Sequence, residues 1–414
     1  MAQLKVLIAG GGIAGNALAY WLSKIGHDIT VVERFPCLRA TGLQVDLRGH
    51  GVEVLKRMGL EQEYRSKKAP EQGIMVVDSI GRRRATFPAN PANSNSLTTD
   101  FEIMRGDLCR MLHDAAVKNQ TKFVFGKSIQ DFQQDKNAVH VNFSDGKSDK
   151  FDLVVGADGQ NSRLRKMMLG TGASDRFYPL GGTFAAYFTI PRPIQKGEEY
   201  VATTYMAPRK RAIMTRRANA DELQVYLFCQ TDSDRLKNAH LKGVEEEKAA
   251  FEEIFQDAGW EARSISSHLK TTENFSYQEL GVVKLPSWSQ GRVSLVGDAA
   301  FCSSVATGMG TTSAMVGAYV LAGEIGKHCG VGQHGNGDGI PRALEAYQET
   351  FHPMINDVQK GLPEKNVFKS MPSSSWGVSI ANFILSAASF LGINSFDIPE
   401  YGSSWKLPTY KELS

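Results

Sequence analysis

Lys5-Val6-Leu7-Ile8-Ala9-Gly10-Gly11-Gly12-Ile13-Ala14-Gly15 opens the stretch that decides the fold, which runs on to Ile29-Thr30-Val31-Val32-Glu33-Arg34. Val6 to Ala9 form a short continuous apolar run, the pattern of a parallel strand buried on both faces. Gly10, Gly12 and Gly15 stand at G-x-G-x-x-G spacing. The first permits a tight turn, the second lets backbone approach a pyrophosphate, and the third lets the following helix pack close to the strand. That helix, opening at Ile13 and Ala14, offers free N–H groups and a positive dipole end to phosphate. Ala17, Leu18, Trp21, Leu22 and Ile25 continue it at helical spacing, and Gly26 suits its end. A second strand finishes at Glu33, where a carboxylate accepts from a ribose hydroxyl. An acid there suits FAD or NAD and fits a 2′-phosphate poorly.

Spacing alone is weak. Gly330-Val331-Gly332-Gln333-His334-Gly335 repeats it with no strand before it and no apolar helix after it, and reads as a surface loop.

With 414 residues the chain has room for two or three domain-sized units. A formal charge of +3 gives no ground for nucleic-acid binding. Arg82-Arg83-Arg84 and Arg209-Lys210-Arg211 read as solvated hairpin or strand ends. Five scattered cysteines without a Cys-x-x-Cys pair fit a reducing, cytoplasmic setting, and no His/Asp/Glu cluster has metal spacing. The longest apolar segment, Trp376 to Leu391, is interrupted by serines and Asn382. It reads as a helix docked on protein, or a lid, and membrane insertion is not expected.

Two further strands end in glycine-bearing exits: Phe151 to Gly159, and Gly291 to Ala300. Asp158 and Asp298 stand at those exits. After Asp298 a loop leads to Gly310, Thr311 and Thr312, which start another helix. Glu102 to Leu108 enters a helix with Arg105 toward the phosphates and Leu108 toward the core. Ala343 to Phe351 reads as helical, stopped by Pro353. Residues 182–231 change character, with four strand-like runs of an antiparallel layer. The physical reading is one nucleotide site assembled from distant segments. Asp298 accepts from hydroxyls of a sugar or ribityl chain, and the helix N-terminus at Gly310–Thr312 stabilises negative charge on a ring system.

Over residues 4–353 these motifs, in this order, resemble the single-component (class A) FAD-dependent aromatic hydroxylases. That is the group of para-hydroxybenzoate hydroxylase and the tetracycline-inactivating monooxygenases. The resemblance implies an α/β fold with an α+β substrate layer: a Rossmann-like FAD domain interleaved with an antiparallel-sheet substrate domain, plus a C-terminal helix. The expected division is 1–72, 97–178 and 286–360 for FAD, 73–96 and 179–285 for substrate, and 361–414 for the C-terminal helix and tail. It further implies that Gly10, Gly12, Ile13, Ala14, Gly15 and Glu33 hold the ADP half of FAD, with Arg34 near the adenosine. Arg105 would meet the cofactor's middle, Asp158 a motif linked to FAD and NADPH, and Asp298 the ribityl chain. Asp46 would reach the flavin, and Gly310, Thr311 and Thr312 would lie beside the isoalloxazine. NAD(P)H would reduce the flavin as a transient co-substrate, and one oxygen of O2 would go to an electron-rich aromatic or polycyclic substrate.

The chain also departs from its relatives. Many carry His after Gly-Asp-Ala-Ala and prolines before the Gly-x-Gly, where this chain has Phe301, Ser304 and Val305. Thr312 replaces a common Asn, and His352-Pro353 stands for Arg-Pro. No Trp-x-Trp signature of flavin halogenases is present. No catalytic side chain is fixed by the sequence; Tyr187, Tyr205, Arg216 and Tyr226 are candidates, each more simply read as packing or sheet-face hydrogen bonding. Three functions stand open here: a monooxygenase, a same-fold flavoprotein that does not oxygenate, and a polycycle binder without turnover.

Overall fold

The computed structural model describes residues 3–39, 42–90, 101–170, 172–329, 339–362, 370–393, 401–402 and 404–414. The second glycine motif at Gly330–Gly335 and the polar loop after Asn90 lie outside the described residues.

A six-stranded sheet carries the opening stretch. Its order is Ser289–Gln290, Val293–Leu295, Leu153–Gly156, Lys5–Ala9, Asp28–Glu33, Lys122–Phe125. All neighbours run parallel except the short Ser289–Gln290 edge. Val6, Leu7 and Ile8 are fully buried, because helices cover both faces of a parallel sheet. Helix Ile13–Lys24 packs against helices Gly310–Cys329 and Arg105–Lys118. Its Leu18, Trp21 and Leu22 are fully buried, each burial contributing about 1.5–3 kcal/mol. The parallel strands thus bring three exits, after Ala9, Gly156 and Leu295, to one end of one sheet. Ligands bind at that carboxyl end in such folds.

The second layer is a seven-stranded sheet. Its order is Ser276–Val283, Phe177–Pro191, Glu222–Gln230, Arg211–Arg216, Ala202–Ala207, Gly73–Val77, Arg83–Pro88. Strand Ser276–Val283 has no clear sequence signal, since Gly281 and polar residues break its alternation. Side chains of this sheet alternate sharply. Val77, Phe184, Tyr205, Ile213 and Leu227 face a helical layer with Leu236, Phe251, Phe255 and Ile265. The opposite face, with Met206, Met214, Tyr187 and Phe228, is only half-buried. A three-stranded sheet (Ile129–Gln134, Val139–Phe143, Ser148–Phe151) and the pair Gln44–Asp46 with Glu102–Met104 complete the strands.

One expected boundary is corrected. Helix Gly339–Gln359 runs through Pro353. Proline removes one backbone donor at a cost of about 3 kcal/mol, but Met354, Ile355 and Val358 beyond it are all buried. Three buried apolar side chains outweigh the lost bond.

Candidate flavin site

The glycine turn is built by close approach. Gly10 has φ +111°, and a Cβ there would lie 2.5 Å from the Ala157 carbonyl oxygen. A Cβ at Gly15 would lie 2.0 Å from the Gly10 oxygen. Helix Ile13–Lys24 starts from Gly12 with no side-chain cap and no acid in its first turn. Its leading N–H groups therefore face the cleft, as an anion-binding helix end requires. Glu33 braces the turn. Its two carboxylate oxygens accept from Gly11 N–H (2.9 Å) and Phe35 N–H (3.1 Å). Each oxygen keeps a lone pair for a hydroxyl.

The distant segments meet at this turn. A Cβ on Gly12 would sit 3.8 Å from Arg105 Nη2, which places the guanidinium over the turn. Arg105 is the first residue of its helix, and Leu108 one turn on is fully buried. Arg34 and Arg39 both lie over the Phe35 ring, at 4.9 and 5.1 Å. Burial first, then Arg105 and Arg34, pull the Arg39 pKa down. Three guanidinium groups thus cluster beside Glu33, a concentration of charge that an anionic group would relieve. Arg39 was not singled out by the sequence, as an isolated arginine in a loop carries no signal.

Gly297 stands so near helix Ile13–Lys24 that its Cβ would be 2.8 Å from that of Ala14. This sets Asp298 beside the helix start. The Asp298 side chain is solvent-accessible although protein surrounds it closely. Burial raises its pKa, and Arg105, the Cys302 thiol and Arg165 pull it back. Arg165, itself fully buried, staples this segment to the second exit: it donates to Ala299 O (3.1 Å), Gln160 O (2.7 Å) and Asp175 O (2.9 Å).

Asp158, Asp46 and Thr312, also expected at the site, have protein partners of their own. The Asp158 carboxylate accepts from Ser162 Oγ and from the N–H groups of Arg163 and Leu164, so it caps helix Arg163–Leu169. Its Cα lies against Gly10. Asp46 is ion-paired with Arg48. The Thr312 hydroxyl is fully buried; it accepts from Arg48 N–H (2.9 Å) and donates to Arg48 O (3.3 Å). Gly310 and Thr311 lead that helix, half-buried. Thr312 thus ties the 46–51 loop to the start of helix Gly310–Cys329. Arg48 went unnoticed in the sequence.

The departures have physical accounts. Phe301 is buried against Trp288 and Phe351, at centroid distances of 4.9 and 5.3 Å, so a core ring occupies the histidine position. In place of prolines, Ser304 adopts φ +62° and ψ 154°, a conformation that only glycine takes easily, and starts a short 3₁₀ turn. Val305 on that turn is exposed.

The four catalytic candidates divide between the sheet's two faces. The Tyr205 hydroxyl donates to Ala258 O (2.7 Å) on the helical face, away from the cleft. Tyr187 and Tyr226 are cross-strand partners on the half-buried face, edge to face at 5.7 Å. Burial pushes Tyr226 up to about 12 although Arg216 pulls it down. Arg216 donates to Glu71 (2.9 and 2.7 Å) and Glu102 (2.5 Å). Gln44 Nε2 also bridges both carboxylates. This buried polar cluster joins the Gln44–Asp46 strand to the seven-stranded sheet. An open cavity of about 830 Å3 lined by Asp131, Lys166 and Asp175 lies elsewhere, among none of these groups.

The FAD binding domain family matches residues 3–361. A FAD-dependent monooxygenase, asL4 of Sarocladium schorii, is 47% identical over all of this chain and 99% of its own length.

The chain is a member of the FAD-dependent monooxygenases.

Flavin-dependent monooxygenase eupH of a Phoma species is 40% identical over 88% of this chain and 89% of its own. Tetracycline destructase Tet(51) superposes with a TM-score of 0.78 at 28% identity, covering 99% of each chain. The class A hydroxylase resemblance is thereby established, and with it the α/β fold. FAD fits the residues of this monooxygenase: the cradle that a Cβ at Gly10 or Gly15 would fill, the uncapped helix end, the arginine cluster and the accessible Asp298 stand around the start of helix Ile13–Lys24.

Proposed function

We propose that this monooxygenase uses NAD(P)H and O2 to insert one oxygen into a bulky aromatic or polycyclic small molecule, a secondary metabolite or xenobiotic. Hydroxylation, epoxidation and oxidative rearrangement lie within this chemistry. The observation that carries the reading is the half-buried face of the seven-stranded sheet. Thr204, Met214, Tyr226 and Tyr187 lie in one cross-strand row, and Met206, Ala212, Phe228 and Ala185 in the next. Aromatic rings and thioethers on a rigid sheet suit a flat apolar ring system, and Arg216 and Gln224 supply polar groups at one end.

In this reading Gly10, Gly12, Ile13, Ala14 and Gly15 hold the pyrophosphate, with Arg105 across it. Glu33 accepts from the ribose and Arg34 flanks the adenosine. Asp298 accepts from the ribityl chain. Gly310, Thr311 and Thr312 present a helix N-terminus to the pyrimidine edge, with Asp46 held near by Arg48. Asp158 acts by fixing the second exit against Gly10. FAD, when bound, supplies the electron transfer and oxygen activation. The chain binds, orients and excludes water, and Tyr187 and Tyr226, kept protonated by burial, donate hydrogen bonds rather than act as bases. NAD(P)H binds at the surface without a Rossmann domain of its own.

The test is NADPH-driven O2 uptake by the yellow protein with a panel of polycyclic phenols. Stimulation coupled to an oxygenated product is expected. Stimulated NADPH oxidation that yields peroxide alone, or no stimulation by any ring system, would reject the assignment. Asp298→Ala should purify with FAD occupancy reduced at least about tenfold, the loss of a charge-assisted hydrogen bond or two in a closed site. Absorbance of the purified variant near the flavin band checks this, and full occupancy would remove Asp298 from the site.

A further inference from the structure

Helix Ser375–Phe390 is built inside out. Asn382, Ser386 and Ser389 face protein. Ser386 Oγ donates to Arg84 O (2.7 Å), and Ser389 Oγ donates to Thr86 O (2.9 Å) while accepting from Thr86 N–H (3.1 Å). Asn382 is buried beside Val378, and Leu385 packs on Val76, Ala85 and Phe87. The large apolar side chains face outward: Trp376 is 77% exposed, Phe383 74%, Ile384 60%, Phe390 91% and Leu391 67%. Of the fourteen exposed large hydrophobics among the described residues, seven fall between Trp376 and Ile393. Positions 376, 380, 383, 384 and 391 share one helical stripe, so these side chains form a continuous strip rather than scattered exposures.

We propose that this strip docks the protein on an anionic phospholipid surface, with the helix lying in the membrane plane. Two observations favour lipid over a protein partner. First, the outward face has almost no hydrogen-bonding capacity. The helix contains no charged residue, and the hydroxyl of Ser379 is spent on Ser375 O (3.1 Å). Protein interfaces need a hydrogen bond per about 100–200 Å2, whereas acyl chains need none. Second, the strip is bordered by cations. Arg84 adjoins Ser386, with Arg82 and Arg83 beside it, and the Arg209 and Lys210 N–H groups bond to Ser373 O and Pro372 O at the helix start. Arg83, Arg84 and Arg209 each also contact a carboxylate, on Glu199, Asp78 and Asp257. Three of these five cations pair with a carboxylate and Lys210 Nζ donates to Gln230 Oε1 (2.8 Å), so the positive charges outnumber the acids they pair with and the excess complements phosphatidylserine or phosphatidylglycerol head groups. Trp376 and Phe390, at opposite ends of the strip, suit the interfacial depth at which aromatic rings settle. No described helix is long and apolar enough to cross a membrane, so the association is peripheral.

The test is co-sedimentation of the FAD-loaded full chain with phosphatidylcholine vesicles, with and without phosphatidylserine. Binding is expected with phosphatidylserine, weaker by roughly tenfold without it and weakened by salt. The variant Phe383→Ser/Ile384→Ser/Phe390→Ser should lose vesicle binding while keeping its FAD content and melting temperature, since these side chains touch solvent. Addition of vesicles should blue-shift tryptophan emission in the wild type and not in Trp376→Phe. Failure of the wild type to bind phosphatidylserine vesicles overturns the proposal, as does equal binding by the triple variant. So does a dimer in light scattering that the triple variant dissociates without any vesicle binding.

Discussion

Gly15→Ala will purify without FAD and will melt well below the wild type. The added Cβ would lie 2.0 Å from the Gly10 carbonyl oxygen and 3.3 Å from the Ala157 side chain. Neither neighbour can yield locally. Gly10 N–H is bonded to Val32 O, and Ala157 N–H to Ala9 O, so both backbones are pinned by the central strands. The helix must move away from the sheet by an ångström or more. That opens contacts of Leu18 and Leu22 and costs about 1–3 kcal/mol. The same movement shifts the uncapped helix end from the pyrophosphate position, and an electrostatic site is worth little when misplaced. Flavin absorbance and thermal melting of the purified variant measure both effects. A variant with full FAD and an unchanged melting point would show that the close approach is not what selects glycine here.

Arg216→Met should destabilise the protein by about 3–5 kcal/mol, because it strands the Glu71 and Glu102 carboxylates together in a buried site. The side chains of these acids are 2% and 4% exposed, and each accepts from the Arg216 guanidinium. The pH dependence has a definite sign. Burial, chiefly, raises the Glu71 pKa; Arg216 lowers it and Glu102 raises it. A carboxyl group with a raised folded pKa binds more proton folded than unfolded between its two pKa values. Stability therefore falls as pH rises through that window, and the loss is complete above the folded pKa. Without the guanidinium the Glu71 window extends upward. The deficit relative to wild type should therefore be smaller near about pH 5 than near about pH 8. Denaturant unfolding at the two pH values tests this. Equal deficits would mean that the loss comes from packing rather than from the stranded charge.

What the sequence disclosed followed from the kind of signal each feature leaves. The glycine turn, the flanking apolar strands and Glu33 sit within thirty residues, and each is dictated by backbone geometry, so local pattern suffices. The position of Asp298, directly after a buried strand and Gly297, was legible for the same reason. The cluster of Gln44, Glu71, Glu102 and Arg216 was not. Its members are single polar residues from four separate segments, and only the paired sheets bring them together. Arg165 and Arg48 were missed alike, because a buried arginine, whether it bonds to carbonyls like Arg165 or pairs with a nearby acid like Arg48, looks in sequence like a surface one. The C-terminal helix misled in a different way. Its serines did indicate docking on protein, but the apolar stripe that ordinarily marks a buried face points outward here. Pro353 illustrates the remaining class of error, where tertiary burial outweighs a local rule.

The order of strands in the six-stranded sheet has a consequence for how the protein is made. Val6 pairs with Leu153, and Val154 with Val293, so the cradle's central strand is only the first of three that must meet. A ribosome that has finished residue 250 has released the whole glycine turn, yet the wall carrying Asp298 does not exist. Loop-closure entropy must be met twice, over spans of more than a hundred residues, before the sheet is complete. Cofactor capture is then a late event on a nearly finished chain. Between synthesis of the first strand and of the last, the apolar edge of Lys5–Ala9 waits unpaired on the side that Leu153–Gly156 will cover, which is when such a chain is most exposed to aggregation.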